Sequence, residues 1–164
     1  MYSRQILPIL ERRLAQFPVV ALTGPRQSGK TTLAKFVAGQ RPYVSMEDPD
    51  VRDFALEDPR GFLARFGDGA VLDEVQRCPQ LFSYLQGIVD ADKRPGLFIL
   101  TGSQQFGMME SITQSLAGRV ALLQLLPFSL GELQAADVAP PDVDTLLYKG
   151  LFPPLHDRDI APAD

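Results

Sequence analysis

The chain of 164 residues has a single cysteine, Cys78, and a single histidine, His156. One cysteine excludes an internal disulfide and fits a reducing cytoplasm. With no histidine near it in sequence, Cys78 is expected to be an inert, partly buried thiol rather than a nucleophile. No apolar run approaches a membrane span, and the N-terminus lacks the basic-then-apolar pattern of a signal peptide, so a cytoplasmic chain without a membrane partner is expected. Basic residues are not in excess: 16 Lys+Arg against 20 Asp+Glu give a net charge of −4. That leaves no global positive field to recruit nucleic acid, and direct nucleic-acid binding is not expected. Arg4, Arg12 and Arg13 cluster near the start and read as a solvated helix face. The remainder, 45% hydrophobic and 22% charged, is ordinary for about one globular domain.

The residues that carry most information are Gly24-Pro25-Arg26-Gln27-Ser28-Gly29-Lys30-Thr31, which fit the phosphate-loop pattern G-x-x-x-x-G-K-[ST]. The apolar run Val19 to Leu22 predicts a strand entering the loop. Thr32 to Ala38, with Leu33, Ala34, Phe36 and Val37, predicts the helix leaving it. In that context the two glycines let backbone N–H groups turn inward around a phosphate, and the helix N-terminus adds its positive dipole end. Lys30 is placed to reach the β- and γ-phosphates, the Thr31 hydroxyl to hold Mg²⁺, and Thr32 to complete the nucleotide contacts. Without a guanine-reading Asn-Lys-x-Asp motif, ATP is expected rather than GTP.

Further strands are expected at Tyr43 to Met46, Ala70 to Asp73, Leu97 to Thr101 and Val120 to Leu125. They are short, continuous and apolar, and helical segments separate them: through Val51 and Phe54, Phe62 to Phe66, onward from Pro79, and Ser111 to Ala117. A helix over residues 4 to 16 precedes them, and Phe128 to Leu133 suggests one more. This pattern means a parallel sheet covered on both faces. The last thirty residues carry five prolines and no long periodic segment, so residues 134–164 read as a linker and the start of something further.

Asp73 and Glu74 end an apolar strand, which makes them the expected metal-holding carboxylate and the carboxylate that orients and deprotonates an attacking water. The strand at Leu97 ends in Thr101-Gly102-Ser103-Gln104, where a polar residue can touch the γ-phosphate or the water; Ser103 is favoured, with Gln104 or Thr101 as alternatives. Arg119 either projects into a neighbour's nucleotide site or caps its own helix, and spacing leaves both open.

These blocks resemble a group of bacterial and archaeal AAA+-like P-loop ATPases that carry a C-terminal domain of unknown function. The matching segments are GPRQSGKTTL (24–33), YVSMEDPD (43–50), VLDEVQRCP (71–79), FILTGSQ (98–104), SLAGRV (115–120) and LLPFSLGEL (125–133). The resemblance implies an ATPase domain over residues 1–133 built on a parallel five-stranded sheet in the order 5-1-4-3-2. It assigns Lys30 and Thr31 to phosphate and Mg²⁺, Asp73 to metal, Glu74 to catalysis, Ser103 to a sensor role and Arg119 to a finger role. Tyr148-Lys149-Gly150-Leu151-Phe152-Pro153-Pro154 resembles the opening motif of that C-terminal domain, and here the chain departs from the family, so a truncated C-terminal domain is expected. Two functions are consistent with these residues: ATP hydrolysis, and a nucleotide-gated switch with little turnover acting through a protein partner or a second copy. A small-molecule kinase would need an acceptor pocket and lid arginines that the proline-rich end does not offer.

Overall fold

A computed structural model describes residues 2–103, 112 and 114–157. The chain opens with helix α1 (Leu7–Leu14), whose Pro8 sits in the first turn, where the missing N–H has no intrahelical partner to lose. Strand β1 (Val19–Gly24) runs into the phosphate loop and helix α2 (Lys30–Val37) out of it. Next come β2 (Tyr43–Ser45), α3 (Pro49–Glu57), α4 (Pro59–Ala64) and β3 (Ala70–Asp73). A 3-10 turn (Val75–Arg77) leads to α5 (Leu81–Ala91), which therefore begins two residues beyond the Pro79 expected to open it. Strands β4 (Phe98–Ser103) and β5 (Val120–Gln124) follow. The chain then forms α6 (Leu130–Ala135), α7 (Val143–Lys149) and α8 (Pro154–Asp157). Of the helix expected over 111–117, Ser111 and residue 113 lie outside the described residues; the Leu116 N–H donates to the Ile112 carbonyl at 2.8 Å.

All four strand pairings are parallel, in the order β2-β3-β4-β1-β5. This is the order the sequence resemblance implied. Central strand β1 is buried along its whole length, and the period-two alternation of a strand divides its residues between two cores. Val19 and Ala21 join Ala70, Leu72, Phe98 and Leu100 against α4 and α5, with Phe62, Phe82 and Leu85 filling that face. Val20 and Leu22 face the other way, onto Leu10 of α1 and Leu33 of α2.

Local signals account for the element ends. Asp48 caps α3 by accepting from the Asp50 N–H, as the Glu47-Asp48-Pro49-Asp50 run implied. Ser129 and Glu132 form a reciprocal capping box that starts α6. The C-terminal segment packs back on the start of the chain: the Tyr2 hydroxyl donates to the His156 carbonyl, and the Phe128 ring stacks edge-on against Tyr2 and His156. No helix among the described residues is long and apolar enough to cross a membrane.

Candidate nucleotide site

Parallel pairing brings the carboxyl ends of β1, β4 and β3 side by side, the sheet edge where ligands gather in such folds. Gly24 ends β1 at φ 147°, and a Cβ there would stand 2.1 Å from the Leu125 carbonyl oxygen, so only glycine lets the loop leave the strand this close to its neighbour. Gly29 precedes α2 in the left-handed region at φ 95°. Gln27 is also left-handed, at φ 62°, a strained backbone position of the kind that collects at ligand clamps.

The Lys30 side chain folds across the loop and donates to the Pro25 carbonyl at 2.7 Å. Burial pulls its ammonium below the ordinary lysine range, partly opposed by the charges of Glu74 and Asp73, while Arg26 adds to the lowering. Ser28 is fully buried, and its hydroxyl has no hydrogen-bond partner among the described residues. An orphaned buried hydroxyl and a desolvated ammonium in one loop fit an anionic group that the loop is built to receive. Arg26, Gln27 and Thr32 are exposed at the loop's outer side, and Thr32 lines a small cavity with Tyr2, Arg4, Gly29 and Phe128.

Across the loop, the Thr31 hydroxyl lies 3.2 Å from both oxygens of Asp73. Asp73 is buried and collects two further hydroxyls: the Tyr43 OH donates to Oδ2 at 2.6 Å, and the Thr101 hydroxyl bonds Oδ1. Burial pushes the Tyr43 phenol well up, and the adjoining carboxylate pushes it further, so it remains a donor. Hydroxyl and carboxylate oxygens are hard ligands suited to Mg²⁺, and Thr31 with Asp73 form the pair that would hold it.

Glu74 sits at φ 54° and ψ 40°, and its backbone N–H donates to the Thr101 hydroxyl at 3.2 Å. Ser103 is the register partner of Gly24 at the end of β4, beside the phosphate loop. Gln76 joins the two: its amide nitrogen donates to a Glu74 carboxylate oxygen and, at 3.2 Å, to the Ser103 hydroxyl. Lys30, Thr31, Asp73, Glu74 and Ser103 thus lie together at this sheet edge. Gln104 lies outside the described residues.

Thr101, read as an alternative to Ser103, instead backs Asp73 and the Glu74 backbone. Tyr43 and Gln76 were not singled out as site residues. Tyr43 reads as an ordinary strand aromatic, and the one signal for Gln76 is its position two residues beyond Glu74.

Arg119 stands elsewhere. It immediately precedes β5, whose Val120 pairs with Val19 at the amino end of β1. Six strand residues, about 20 Å, therefore separate its backbone from its own phosphate loop. Its guanidinium engages Asp90 of α5 through two contacts, one of 2.9 Å from Nη2, and donates to the Ala117 carbonyl at 3.0 Å.

Arg4 corrects the expectation of a solvated basic face. It lies ahead of α1, is 6% exposed, and donates to Glu132 at 3.1 Å, to the Ser28 carbonyl of the phosphate loop at 2.8 Å and to the Leu126 carbonyl at 2.7 Å. Its guanidinium also stacks on Phe128, 4.8 Å from the ring centre. Burial would raise the Glu132 carboxyl, but N–H donors from Ser129 and Gln5 together with Arg4 hold it below the usual carboxylate range. Because that carboxyl titrates lower folded than unfolded, it adds stability above pH 4.5 that is lost as pH falls through the folded value. Glu132→Gln is expected to lower the unfolding free energy by about 3 kcal/mol at neutral pH, since it leaves the Arg4 charge buried and unpaired. The gap from wild type should narrow in acid, a difference that urea melts at the two pH values would measure.

Cys78 is fully buried, and burial pushes its thiol up, which removes it as a nucleophile.

Phosphate loop, Asp-Glu strand end and parallel sheet together define a P-loop nucleotide-binding domain. Residues 16–134 match the family model described as AAA domain, and the chain belongs to that family. It is 37% identical over 146 residues to the uncharacterized proteins Rv2008c of Mycobacterium tuberculosis and Mb2031c of Mycobacterium bovis, with 88% of this chain covered. The chain spans 32% of the length of those relatives. Among solved structures, the Walker-type ATPase PABY2304 of Pyrococcus abyssi superposes with a TM-score of 0.63 at 18% identity, covering 95% of this chain and 66% of that one. PCH-2 of C. elegans gives a TM-score of 0.50 at 14% identity, covering 92% of this chain and 53% of its own. At these identities the likeness is one of fold.

Proposed function

We propose that the domain binds ATP with Mg²⁺ and hydrolyses the γ-phosphate. The observation that carries this reading is the Thr31 hydroxyl held 3.2 Å from both Asp73 oxygens, beside a phosphate loop and with Glu74 next in the chain. Residues 24–32 would wrap the phosphates, and Lys30 would exchange its bond to the Pro25 carbonyl for phosphate oxygens. Thr31 and Asp73 would hold Mg²⁺, which when bound neutralises charge on the phosphate oxygens. Tyr43 and Thr101 keep Asp73 in place whether or not Thr31 turns away. Glu74 takes the proton of the attacking water, and Ser103 reports on the γ-phosphate position. Catalysis rests on positioning and charge. Residues 1–133 would form the catalytic unit, with 134–164 a linker and the start of a further domain.

Arg119 lies too far from its own loop to act there, so its place in the reaction is the site of a second copy. Its engagement by Asp90 favours a second reading, in which the isolated chain is a nucleotide-gated switch with little turnover until a partner draws Arg119 away. Phosphate release from Mg-ATP, measured over a range of protein concentrations, tests both. Turnover rising more than linearly supports a shared site, linear turnover assigns the chemistry to one chain, and no turnover above a blank leaves a nucleotide-binding switch.

A further inference from the structure

Glu74 leaves the β3 line in a left-handed conformation, and the 3-10 turn after it folds Gln76 back alongside its carboxylate. The orientation of the Gln76 amide is fixed by chemistry, because an ionised carboxylate only accepts hydrogen bonds and the atom facing it must be the NH₂ group. That nitrogen also donates to the Ser103 hydroxyl at 3.2 Å. The amide oxygen is buried and has no hydrogen-bond partner among the described residues. Through its amide nitrogen the side chain joins the candidate base to the candidate sensor.

We infer that Gln76 is a positioning residue of the hydrolytic reaction, coupling Ser103 to Glu74 through its amide nitrogen. This rests on the ATPase reading above. Glu74 Oε2 is taken by the Gln76 amide, which leaves Oε1 to accept the proton. The water oxygen bonds to the γ-phosphorus as its proton passes to Oε1. The bond from the γ-phosphorus to the bridging oxygen breaks, and its electron pair departs on ADP. The proton then returns from Glu74 to solvent or phosphate. When Ser103 shifts with the γ-phosphate, the shared amide moves the carboxylate with it, so the base is aligned only when triphosphate is present.

The test compares Gln76→Met, which keeps the volume, and Gln76→Glu, which sets a second carboxylate against the first. ATP turnover, nucleotide affinity by fluorescent-analogue titration and the thermal melt are measured for each. Both variants are expected to lose about 10- to 100-fold in kcat with KM and nucleotide affinity within about twofold, the pattern of an interaction made only in the transition state. Ser103→Ala should add little further loss in the Gln76→Met background, because one coupling has already been cut. Unchanged kcat in Gln76→Met overturns this inference alone, as does a loss carried by KM or by a lowered melt. A wild-type chain with no turnover above a protein-free blank overturns the ATPase reading and this inference with it.

Discussion

Glu74→Gln is expected to reduce ATP turnover by about 100- to 1,000-fold while leaving nucleotide affinity within about twofold of wild type, the scale of a lost general base. The substitution is nearly isosteric and retains an oxygen to accept from Gln76, so the left-handed turn at φ 54° and the contacts around it should survive. What it removes is the capacity to accept a proton. Binding should persist because Lys30, Thr31 and Asp73 are untouched and Asp73 keeps its hydroxyl donors from Tyr43 and Thr101. Single-turnover phosphate release beside a fluorescent nucleotide titration separates the two quantities. A variant as active as wild type would assign the proton transfer to another group or to phosphate itself.

The parts of this site that were legible in the sequence are those set by neighbours in the chain. The phosphate loop is eight consecutive residues, and Asp73-Glu74 closes a strand that reads as buried because β3 lies inside the sheet. The strands themselves were legible because a parallel sheet covered on both faces needs unbroken apolar runs. What could not be read is set by register across the sheet. Tyr43 reaches Asp73 because β2 pairs with β3 and the Tyr43 ring can span from position 43 to the strand end, a relation 30 residues apart in sequence. Thr101 reaches it because β4 pairs with β3 on the other side.

Arg4 was misread for the same reason. Beside Arg12 and Arg13 it looks like one more surface cation, and its partner Glu132 stands 128 residues away. Only the fold brings the end of β5 and α6 against the start of the chain. That contact has a consequence for the site, since Arg4 holds the Ser28 carbonyl and so ties the back of the phosphate loop to the segment that follows the sheet.

Lys30→Met is expected to change binding and stability in opposite directions. With nucleotide, it removes charge-assisted hydrogen bonds to the phosphates, and affinity should fall by about 100-fold, or about 2.7 kcal/mol. Without nucleotide, the lysine is a buried cation whose ammonium is disfavoured by desolvation, compensated by one carbonyl, that of Pro25, and by the charges of Glu74 and Asp73. Methionine fills the same volume with no charge to bury, so the empty domain should be equally stable or more stable by about 1 kcal/mol. At nucleotide concentrations of about 100 times the wild-type dissociation constant, the wild-type chain gains about 2.7 kcal/mol from binding and the variant almost none. Thermal melts should therefore reverse their order, the variant matching or exceeding wild type when empty and falling below it when ATP is added. A variant destabilised in both conditions would mean that Lys30 is needed to hold the loop together. The reversed order would mean instead that the loop carries an unfavourable buried charge kept for the phosphate it binds.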